Sequence, residues 1–304
     1  MNEVTIVAHN GRFHADDVFA VATIKLFLER SDFPAWRNSK VTIIRTRDLE
    51  KIEKADFVVD VGGRHDEKNN RFDHHQEGGA GIRPNGIPYA SFGLVWKKFG
   101  QPITDNQLVA DRIDRFLAQP IDAHDNGFEL SRSTLPDVLP YTIQRVVMAF
   151  SQTWKESPAI LDTQFATLVA FAKDILEREI KHAIDFFEAE SAVLDIYNRT
   201  EDKRILVFDT HYPVEEILHR VSEPLYIIRP DVQNQTWKIN AMPIHSRTFE
   251  LKKSFPASWA GKQDDELAKI TGVPDALFCH NKLFLAVARS QAGALQLAKL
   301  ALEA

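Results

Sequence analysis

The stretch VTIVAHNGRFHADD, residues 4–17, carries the signals that decide the fold of this chain. An apolar run of strand type at residues 4–8 is followed by a polar loop, and a helical period of apolar residues then runs from about Asp16 to Glu29. Strand-like runs at residues 41–44 and 57–61 flank a short helical segment at residues 49–54. This alternation of strands and helices predicts an α/β fold with a parallel sheet.

The length of 304 residues favours two domains. We predict an N-terminal domain at residues 1–155 that contains the parallel sheet, a helical connector at 156–200, and a smaller C-terminal α+β domain at 201–304. The connector is predicted because residues 159–197 keep a helical pattern without Gly or Pro. Strand-like runs and helical segments alternate after it, which predicts a separate folded unit.

Composition narrows the possible classes of protein. The formal net charge of −6 argues against a broad basic surface that would hold nucleic acid by charge alone, and a local basic groove remains open. The single cysteine, Cys279, excludes an internal disulfide and a thiolate metal cluster, so imidazole and carboxylate must hold any metal. No leader or membrane-spanning segment is evident, and we therefore expect a cytoplasmic protein without a membrane partner.

Side chains that ligate metals occur where the predicted strands end. His9, His14 and Asp16 lie in the loop after the first strand, and Asp60 lies at the end of the third. In open α/β sheets ligands bind at the carboxyl ends of the strands, so we expect these residues to share a site. Taken singly, a core histidine or a helix-capping aspartate would be the commoner explanation.

Two further segments add ligands of the same kind. Residues 73–75 read Asp-His-His, a combination that suits Mn, Zn, Co or Fe, although a solvated turn explains it equally well when it is taken alone. Residues 122–127, DAHDNG, offer one more carboxylate, from either Asp122 or Asp125. An Asp/Asn turn is the alternative explanation for this last segment.

Together these segments resemble the motif series of the DHH phosphoesterase superfamily. More closely, HNG and FHAD within residues 9–16, VVDVGG at 58–63, FDHHQ at 72–76 and DAHDNG at 122–127 are similar to the melanocyte-proliferating-gene family of metal-dependent hydrolases. Members of that family are described as RNA exonucleases. The C-terminal half also fits the family, at Pro256, Trp259, Gly261, Asp265, Glu266, Leu267, Gly272, Phe278 and His280.

The resemblance implies a site with two divalent ions that activate water for attack on a phosphoester. Manganese is the expected metal, with magnesium, cobalt and zinc as alternatives. The implied ligands are His9, His14 and Asp60 for one ion, and Asp16, Asp60, His74 and Asp125 for the other. His75 would face the substrate, Asp73 would orient an imidazole, and Arg12 would contact the phosphate.

Two departures from the related sequences affect the expected chemistry. His14 stands where the wider superfamily usually has an aspartate, which changes the charge of the site. Residues 283–290 replace a glycine-rich turn and put backbone contacts to a substrate phosphate in doubt. Candidate substrate contacts in the C-terminal domain are His245, Ser246, Arg247, Lys252, Lys253 and Arg289, and Arg64 is a further basic candidate in the N-terminal domain.

The leading hypothesis is a metal-dependent phosphodiesterase, a 3′–5′ exonuclease acting on RNA or short oligonucleotides that are enclosed between the two domains. The first alternative is hydrolysis of a small phosphorylated compound such as pyrophosphate or a dinucleotide. The second is a metal-binding interaction protein without catalysis, favoured by the missing glycine turn and the absence of a basic tract. A homodimer is a further expectation.

Overall fold

A computed structural model of the chain describes residues 3–30, 36, 39–245 and 248–304. The chain forms two compact units, Met1–Ile184 (unit 1) and Asp185–Ala304 (unit 2). A 39-residue helix, Leu161–Arg199, begins in unit 1 and ends in unit 2, in the region predicted to be a helical connector. The functional division into residues 1–155, 156–200 and 201–304 stays a prediction.

Unit 1 contains a five-stranded sheet in the order β2-β1-β3-β5-β4. Its strands are β1 (Glu3–Ala8), β2 (Lys40–Arg45), β3 (Phe57–Val59), β4 (His65–Asp66) and β5 (Arg71–Phe72). The pairs β1–β2, β1–β3 and β3–β5 are parallel, whereas β4 runs antiparallel to β5. The expected α/β class is confirmed, and the sheet is mixed because the two short strands β4 and β5 form a hairpin at its edge.

Unit 1 also contains helices, the last of which continues into unit 2. They are α1 (Ala15–Arg30), α2 (Leu49–Lys54), α3 (Ser91–Thr104), α4 (Gln107–Ile113), α5 (Gln119–Asp125), α6 (Ile143–Ala149) and α7 (Leu161–Arg199). A π-helical segment, Asp114–Ala118, joins α4 to α5. Residues 122–125 belong to α5, where Ile121 and Ala123 are buried, and a turn follows at Asn126-Gly127, the dipeptide whose composition predicts one.

Aromatic packing forms much of the core of unit 1. The ring centroid of Phe99 on α3 lies 4.4 Å from that of Phe27 on α1. It lies 6.0 Å from that of Phe57 and 5.9 Å from that of Phe72, both on strands, and these separations are common for packed aromatic pairs. All residues of α1 from Ala15 to Thr23 are buried, including Asp16. The start of α1 is therefore fixed on the sheet, next to the ends of β1 and β3.

Unit 2 contains a second five-stranded mixed sheet, in the order β6-β7-β8-β10-β9. Its strands are β6 (Ile205–Val207), β7 (Tyr226–Asp231), β8 (Thr236–Ala241), β9 (Ala276–Cys279) and β10 (Leu285–Ala288). Its further helices are α8 (Val214–Ile217), α9 (Asp264–Thr271) and α10 (Gln291–Glu303). One sheet face packs on α10, through Ile228 and Leu297, and the other on the end of α7, through Ile227 and Val193.

Among the described residues, no helix combines the length and the apolar character needed to cross a bilayer.

Candidate metal centre

The ends of neighbouring strands bring two imidazoles to one carboxylate. His9 directly follows β1, Asp60 directly follows β3, and His74 lies two residues after β5. Asp60 lies between the two rings, with Oδ2 at 3.2 Å from Nε2 of His9 and Oδ1 at 3.2 Å from Nε2 of His74. The convergence expected from the strand ends is present for His9 and Asp60, and His74 joins them from the end of β5, a strand that the sequence did not predict.

Asp60 adopts an unusual backbone conformation. Its φ is +56°, in the left-handed region, and its N–H donates to the carbonyl of Phe72 at 3.0 Å. For a residue other than glycine, this conformation costs on the order of 1–3 kcal/mol of conformational free energy, and it persists only where the surrounding structure imposes it. Ser91 adds a hydrogen bond from its Oγ to Oδ1 of Asp60 at 3.2 Å. The strand end and α3 together hold this carboxylate between the imidazoles.

Two helices supply the other side of the cluster. Asp16, in the first turn of α1, is fully buried, and Asp125 is the last residue of α5. Nε2 of His74 lies 3.2 Å from Oδ2 of Asp125 and 3.9 Å from Oδ2 of Asp16. The more exposed His14 places Nδ1 3.9 Å from Oδ1 of Asp125. Strands and helices that are distant in sequence thus build one cluster.

Three groups of side chains in this cluster can each hold an ion, since their ligand atoms lie within 4.8 Å of one another. They are His9 with His14 and Asp60, Asp60 with His74 and His75, and His14 with Asp16 and Asp125. The first group has the same members as the first predicted ligand set. The second predicted set is divided between the other two groups, and His75 joins one of them. The assignment of ligands to individual ions stays a prediction.

Protons supply positive charge in this cluster when no cation is bound. Burial lowers the pKa of His9, but its contacts with Asp17 and Asp60 outweigh burial and raise that pKa to about 10. For His74 burial again lowers the pKa, and Asp125 and Asp60 outweigh it and raise the pKa to about 10. Burial would raise the pKa of Asp60, yet His74 and His9 lower it. The cluster therefore favours positive charge at these positions.

The surroundings of Asp16 indicate whether the cluster can hold a cation. Both of its carboxyl oxygens are buried and have no hydrogen-bond partner. Burial, followed by the charges of Asp60 and Asp125, raises the pKa of Asp16 well above its ordinary value. A buried ionised carboxylate is costly unless it is paired or coordinates a metal. The oxygens of Asp16 and the surrounding imidazoles form a donor set that suits Mn, Zn, Co or Fe, so the residues present fit a divalent cation.

Asp73 holds His75. Its Oδ1 lies 2.8 Å from Nδ1 of His75 and accepts the backbone N–H of His75 at 3.1 Å, while its Oδ2 accepts the N–H of Gly63. Burial would raise the pKa of Asp73, but these partners lower it, so this carboxylate is ionised. A carboxylate that contacts Nδ1 of an imidazole fixes the orientation of the ring. This contact does not use Nε2, the other ring nitrogen of His75.

Asp122 and Asp125 have different partners. Asp122 Oδ2 lies 2.7 Å from Nη1 of Arg83, and its Oδ1 accepts the N–H of Gly93 at 3.0 Å. Glycine is required at position 93, because a Cβ there would stand 1.8 Å from Oδ2 of Asp122. Burial raises the pKa of Asp122 to about 7, although Arg83 favours the ionised form. The structure thus brings Asp125 to the cluster and pairs Asp122 with Arg83.

One residue at the cluster, Asp17, and one that contacts its loop, Arg45, were not among the predicted site residues. Asp17 is fully buried, lies 3.1 Å from Nε2 of His9 through Oδ2, and accepts the backbone N–H of His14 through Oδ1 at 3.0 Å. Arg45 donates to the carbonyl of Gly11 at 2.6 Å. The adjacency of Asp17 to Asp16 was a signal, but it is equally the signal of a helix cap. No motif or spacing in the sequence identifies Arg45 as a residue near the site.

The basic and polar residues predicted to contact a substrate lie in different surroundings. Arg12 is exposed beside the cluster and lines a cavity together with His14 and Asp16. Arg64 lies 3.6 Å from Glu53, through Nη2 and Oε2. In unit 2, the side chains of Lys252 and Lys253 donate to backbone carbonyls, among them those of Val221 and Leu302 at 2.8 Å each.

The other residues predicted to contact a substrate lie in unit 2, and the structure describes only some of them. His245 and Arg289 are exposed in unit 2, whereas Ser246 and Arg247 lie outside the described residues. The segment 283–290, where the sequence motifs led us to expect an altered turn, contains a left-handed residue, Leu283, with φ of +61°, and strand β10. The substrate-binding roles of all these residues stay predictions.

The fold and the cluster define an α/β protein with a buried imidazole–carboxylate site of the kind that holds divalent cations. The chain belongs to the MYG1 exonuclease family, described as "Uncharacterised protein family (UPF0160)", whose model matches residues 5–302. The resemblance inferred from the sequence motifs is confirmed at the level of this family.

Relatives align along nearly the whole chain. The chain is 29% identical over 332 residues to the MYG1 protein of Dictyostelium discoideum, covering 98% of this chain and 96% of that protein. It is 27% identical over 331 residues to the MYG1 exonuclease of Homo sapiens, covering 97% of this chain and 84% of that protein. It is 27% identical to the MYG1 protein C27H6.8 of Caenorhabditis elegans, covering 98% of this chain and 95% of that protein.

Proposed function

We propose that the chain is a metal-dependent phosphoester hydrolase, a DHH-type 3′–5′ exonuclease that acts on RNA or short oligonucleotides. Two findings support this proposal. Mammalian relatives, including the human one, carry the name exonuclease. The cluster at the strand ends offers imidazole nitrogens and carboxylate oxygens in a pattern that suits two divalent ions, with manganese as the expected metal.

The observation that carries the proposal is the pair of buried, unpartnered oxygens of Asp16 beside His74. A purely structural aspartate at this depth would be expected to have hydrogen-bond donors, because buried polar groups are satisfied in native proteins. Asp122 differs from Asp16, because its Oδ1 accepts the N–H of Gly93 and its Oδ2 forms an ion pair with Nη1 of Arg83 at 2.7 Å. Asp16 has no such partners, which supports its proposed role as a ligand of a cation.

Bound divalent ions would polarise the phosphoryl group and provide the nucleophile at neutral pH. His9, His14, Asp16, Asp60, His74 and Asp125 are the residues proposed to hold them. The exposed His75 has Nδ1 fixed by Asp73, so that its Nε2 can donate a proton to the leaving oxygen. The pKa of His75 is raised, first by Asp73, which favours the protonated ring that this role requires.

The proposal extends to the rest of the molecule. Residues 1–155 would form the DHH-like catalytic domain, 156–200 the connector and 201–304 the substrate-binding domain. Within the last, His245, Ser246, Arg247, Lys252 and Arg289 are proposed substrate contacts, and Arg12 is proposed for the phosphate in the first. A cytoplasmic location and a homodimer are parts of the same proposal.

The test is a metal and substrate screen on the full chain. Protein stripped with a chelator is given Mn, Mg, Co or Zn, and turnover of an end-labelled oligoribonucleotide, pyrophosphate and a dinucleotide is measured. His74→Ala is the test variant and His211→Ala, an exposed histidine of unit 2, is the matched control. We expect oligoribonucleotide cleavage by the wild type and by His211→Ala only, with the products of labelling at either end giving the direction.

Other outcomes have definite meanings. Turnover of pyrophosphate or the dinucleotide alone would replace the proposal with the small-substrate alternative. Equal inactivity of the wild type and His74→Ala with every metal and substrate would leave a metal-binding interaction protein and refute hydrolysis.

A further inference from the structure

Two neighbouring cavities of unit 1 share the side chain of Arg12. The first, about 270 Å³, is lined by members of the metal cluster, including His14, Asp16 and Asp125. The second, also about 270 Å³, is lined by residues 151–154 and Leu161. Each cavity is near the lower end of the range of ligand pockets, about 300 Å³, so each matches a small group and not a large ligand. Arg12 therefore connects the metal cluster to a second, separate recess.

Arg12 is a cation without an internal partner. Its side chain makes no hydrogen bond or ion pair with any described residue, in contrast to Arg45 and Arg83, which are both paired with carboxylates. The guanidinium matches a phosphate geometrically and can bind it through two parallel hydrogen bonds. Its position at the junction suits the phosphate next to the one at the metal cluster.

The second cavity presents an aromatic ring on a fixed turn. Thr153 and Glu156 close this turn reciprocally, since the N–H of Thr153 donates to Oε2 of Glu156 at 2.7 Å and the N–H of Glu156 donates to the carbonyl of Thr153 at 3.1 Å. Trp154 and Lys155 occupy its two central positions. Trp154 is 89% exposed, and Nζ of Lys155 lies 5.0 Å from the centre of its ring.

A tryptophan held in solvent by a capped turn, beside an unpaired arginine, has the parts of a site for a single nucleic-acid strand. Such sites combine cations that follow the backbone with aromatic rings on which bases stack. One face of Trp154 has Lys155 near it, and stacking needs only one ring face. The local cations also explain how a chain of net charge −6 can bind a polyanion without a broad basic surface.

We propose that the recess between Arg12 and Trp154 is a subsite for the nucleotide that neighbours the scissile phosphate, with Arg12 on its phosphate and Trp154 stacked on its base. This inference rests on the proposed function, since it deepens the same site. It makes the preferred substrate an oligonucleotide of at least two residues, and it assigns to a small compound such as pyrophosphate no contact with Trp154.

Binding without turnover is the test. A fluorescent oligoribonucleotide is titrated with the full chain in a chelator, so that hydrolysis is absent, and anisotropy gives the dissociation constant. The variants are Trp154→Ala, Trp154→Phe and Arg12→Gln. The controls are Tyr141→Ala, a 73% exposed aromatic that lines neither cavity, and Arg132→Gln, an exposed arginine of the same unit. Inorganic polyphosphate serves as a polyanion without bases.

We expect Trp154→Ala to bind the oligoribonucleotide about 5- to 100-fold more weakly, with Trp154→Phe restoring part of the affinity. Polyphosphate binding should be the same for the wild type and Trp154→Ala. For Arg12→Gln, the slope of log affinity against log salt should fall by about 0.7, the value for one phosphate contact on a single strand. The two control variants should resemble the wild type.

Failure of the subsite and failure of the proposed function are distinguishable. Unchanged oligoribonucleotide affinity in Trp154→Ala, or an equal loss for polyphosphate, overturns the subsite, whether or not the protein hydrolyses phosphoesters. If the affinity falls as expected while the metal and substrate screen finds no hydrolysis, the subsite stands and the hydrolase proposal fails. Circular dichroism of each variant shows that any loss of affinity is not a loss of folding.

Discussion

The two units contain sheets of equal strand number but bury very different side chains. The described part of unit 1 buries eight ionisable residues, namely His9, Asp16, Asp17, Asp60, Arg71, Asp73, Arg83 and Asp122. Within the described part of unit 2, Arg229 is the buried charged residue, and it pairs with Glu215 at 2.9 Å, measured from Nη2 to Oε1. The core of unit 2 is otherwise apolar, on both faces of its sheet.

The two units therefore differ in kind, one with a buried cluster of charged side chains and the other with an apolar core. Burying unpaired carboxylates lowers the stability of a fold, and natural proteins keep such groups where they bind ions or do chemistry. In unit 1, the buried carboxylates Asp16 and Asp60 have this effect on stability, and they lie near the ends of β1, β3 and β5. Unit 2 shows no comparable cluster in its described residues.

The largest effect is expected for Asp60→Ala, because Asp60 lies between both imidazoles. This variant should lose most cation binding, beyond the roughly 100-fold loss typical of residues that only orient a ligand. Isothermal titration with Mn²⁺ measures the effect, and Asp174→Ala, an exposed helix residue, is the control. Retention of two ions per chain in Asp60→Ala would contradict the central position of this carboxylate.

A truncation in the core of unit 2 should affect stability and leave the metal site unchanged. Ile227 is fully buried on the face that packs against α7, so Ile227→Ala should lower the free energy of unfolding by about 2–5 kcal/mol. Denaturant unfolding followed by hydrogen exchange measures the loss in unit 2, with the exposed Ile270→Ala as the control. A large change in Mn²⁺ affinity would show that cation binding by unit 1 depends on the core packing of unit 2.

An intermediate effect is expected for Asp73→Asn. Asp73 fixes His75 through Nδ1, and removal of such an orienting carboxylate lowers metal affinity or activity by about 10- to 100-fold. The amide can still accept the N–H of Gly63, so the fold should persist. Turnover and Mn²⁺ affinity are compared with those of Asp111→Asn, a matched exposed aspartate. Wild-type values in Asp73→Asn would remove the orienting role.

The smallest effect is expected from a partly buried ion pair in unit 2, Asp231 with Lys238. Lys238 first, and Asn234 next, lower the pKa of Asp231 to about 2. Since the folded pKa is depressed, this pair stabilises the fold above the ordinary aspartate pKa, and its contribution is lost as the pH falls from about 4 to 2. In Lys238→Met, NMR titration should show the pKa of Asp231 moving up toward its ordinary value. An unchanged pKa would make Asn234 the dominant partner.

Much of the candidate metal site could be read from the order of residues along the chain. His9 and Asp60 were predictable because they directly follow apolar strands, and parallel strands end at one edge of a sheet. Asp73, His74 and His75 stood out because the tripeptide has little apolar role. The second sheet edge, with β4 and β5, was missed, since strands of two residues carry no measurable periodicity.

What the sequence by itself determined is the α/β class and the set of ligand-type side chains, because local periodicity and residue chemistry are properties of the chain. Only the tertiary structure decided that Asp125 joins the cluster while Asp122 pairs with Arg83, that Asp17 contacts His9, and that Arg12 connects two cavities. These outcomes depend on which distant elements pack together, and contacts between residues far apart in sequence leave no local pattern to read.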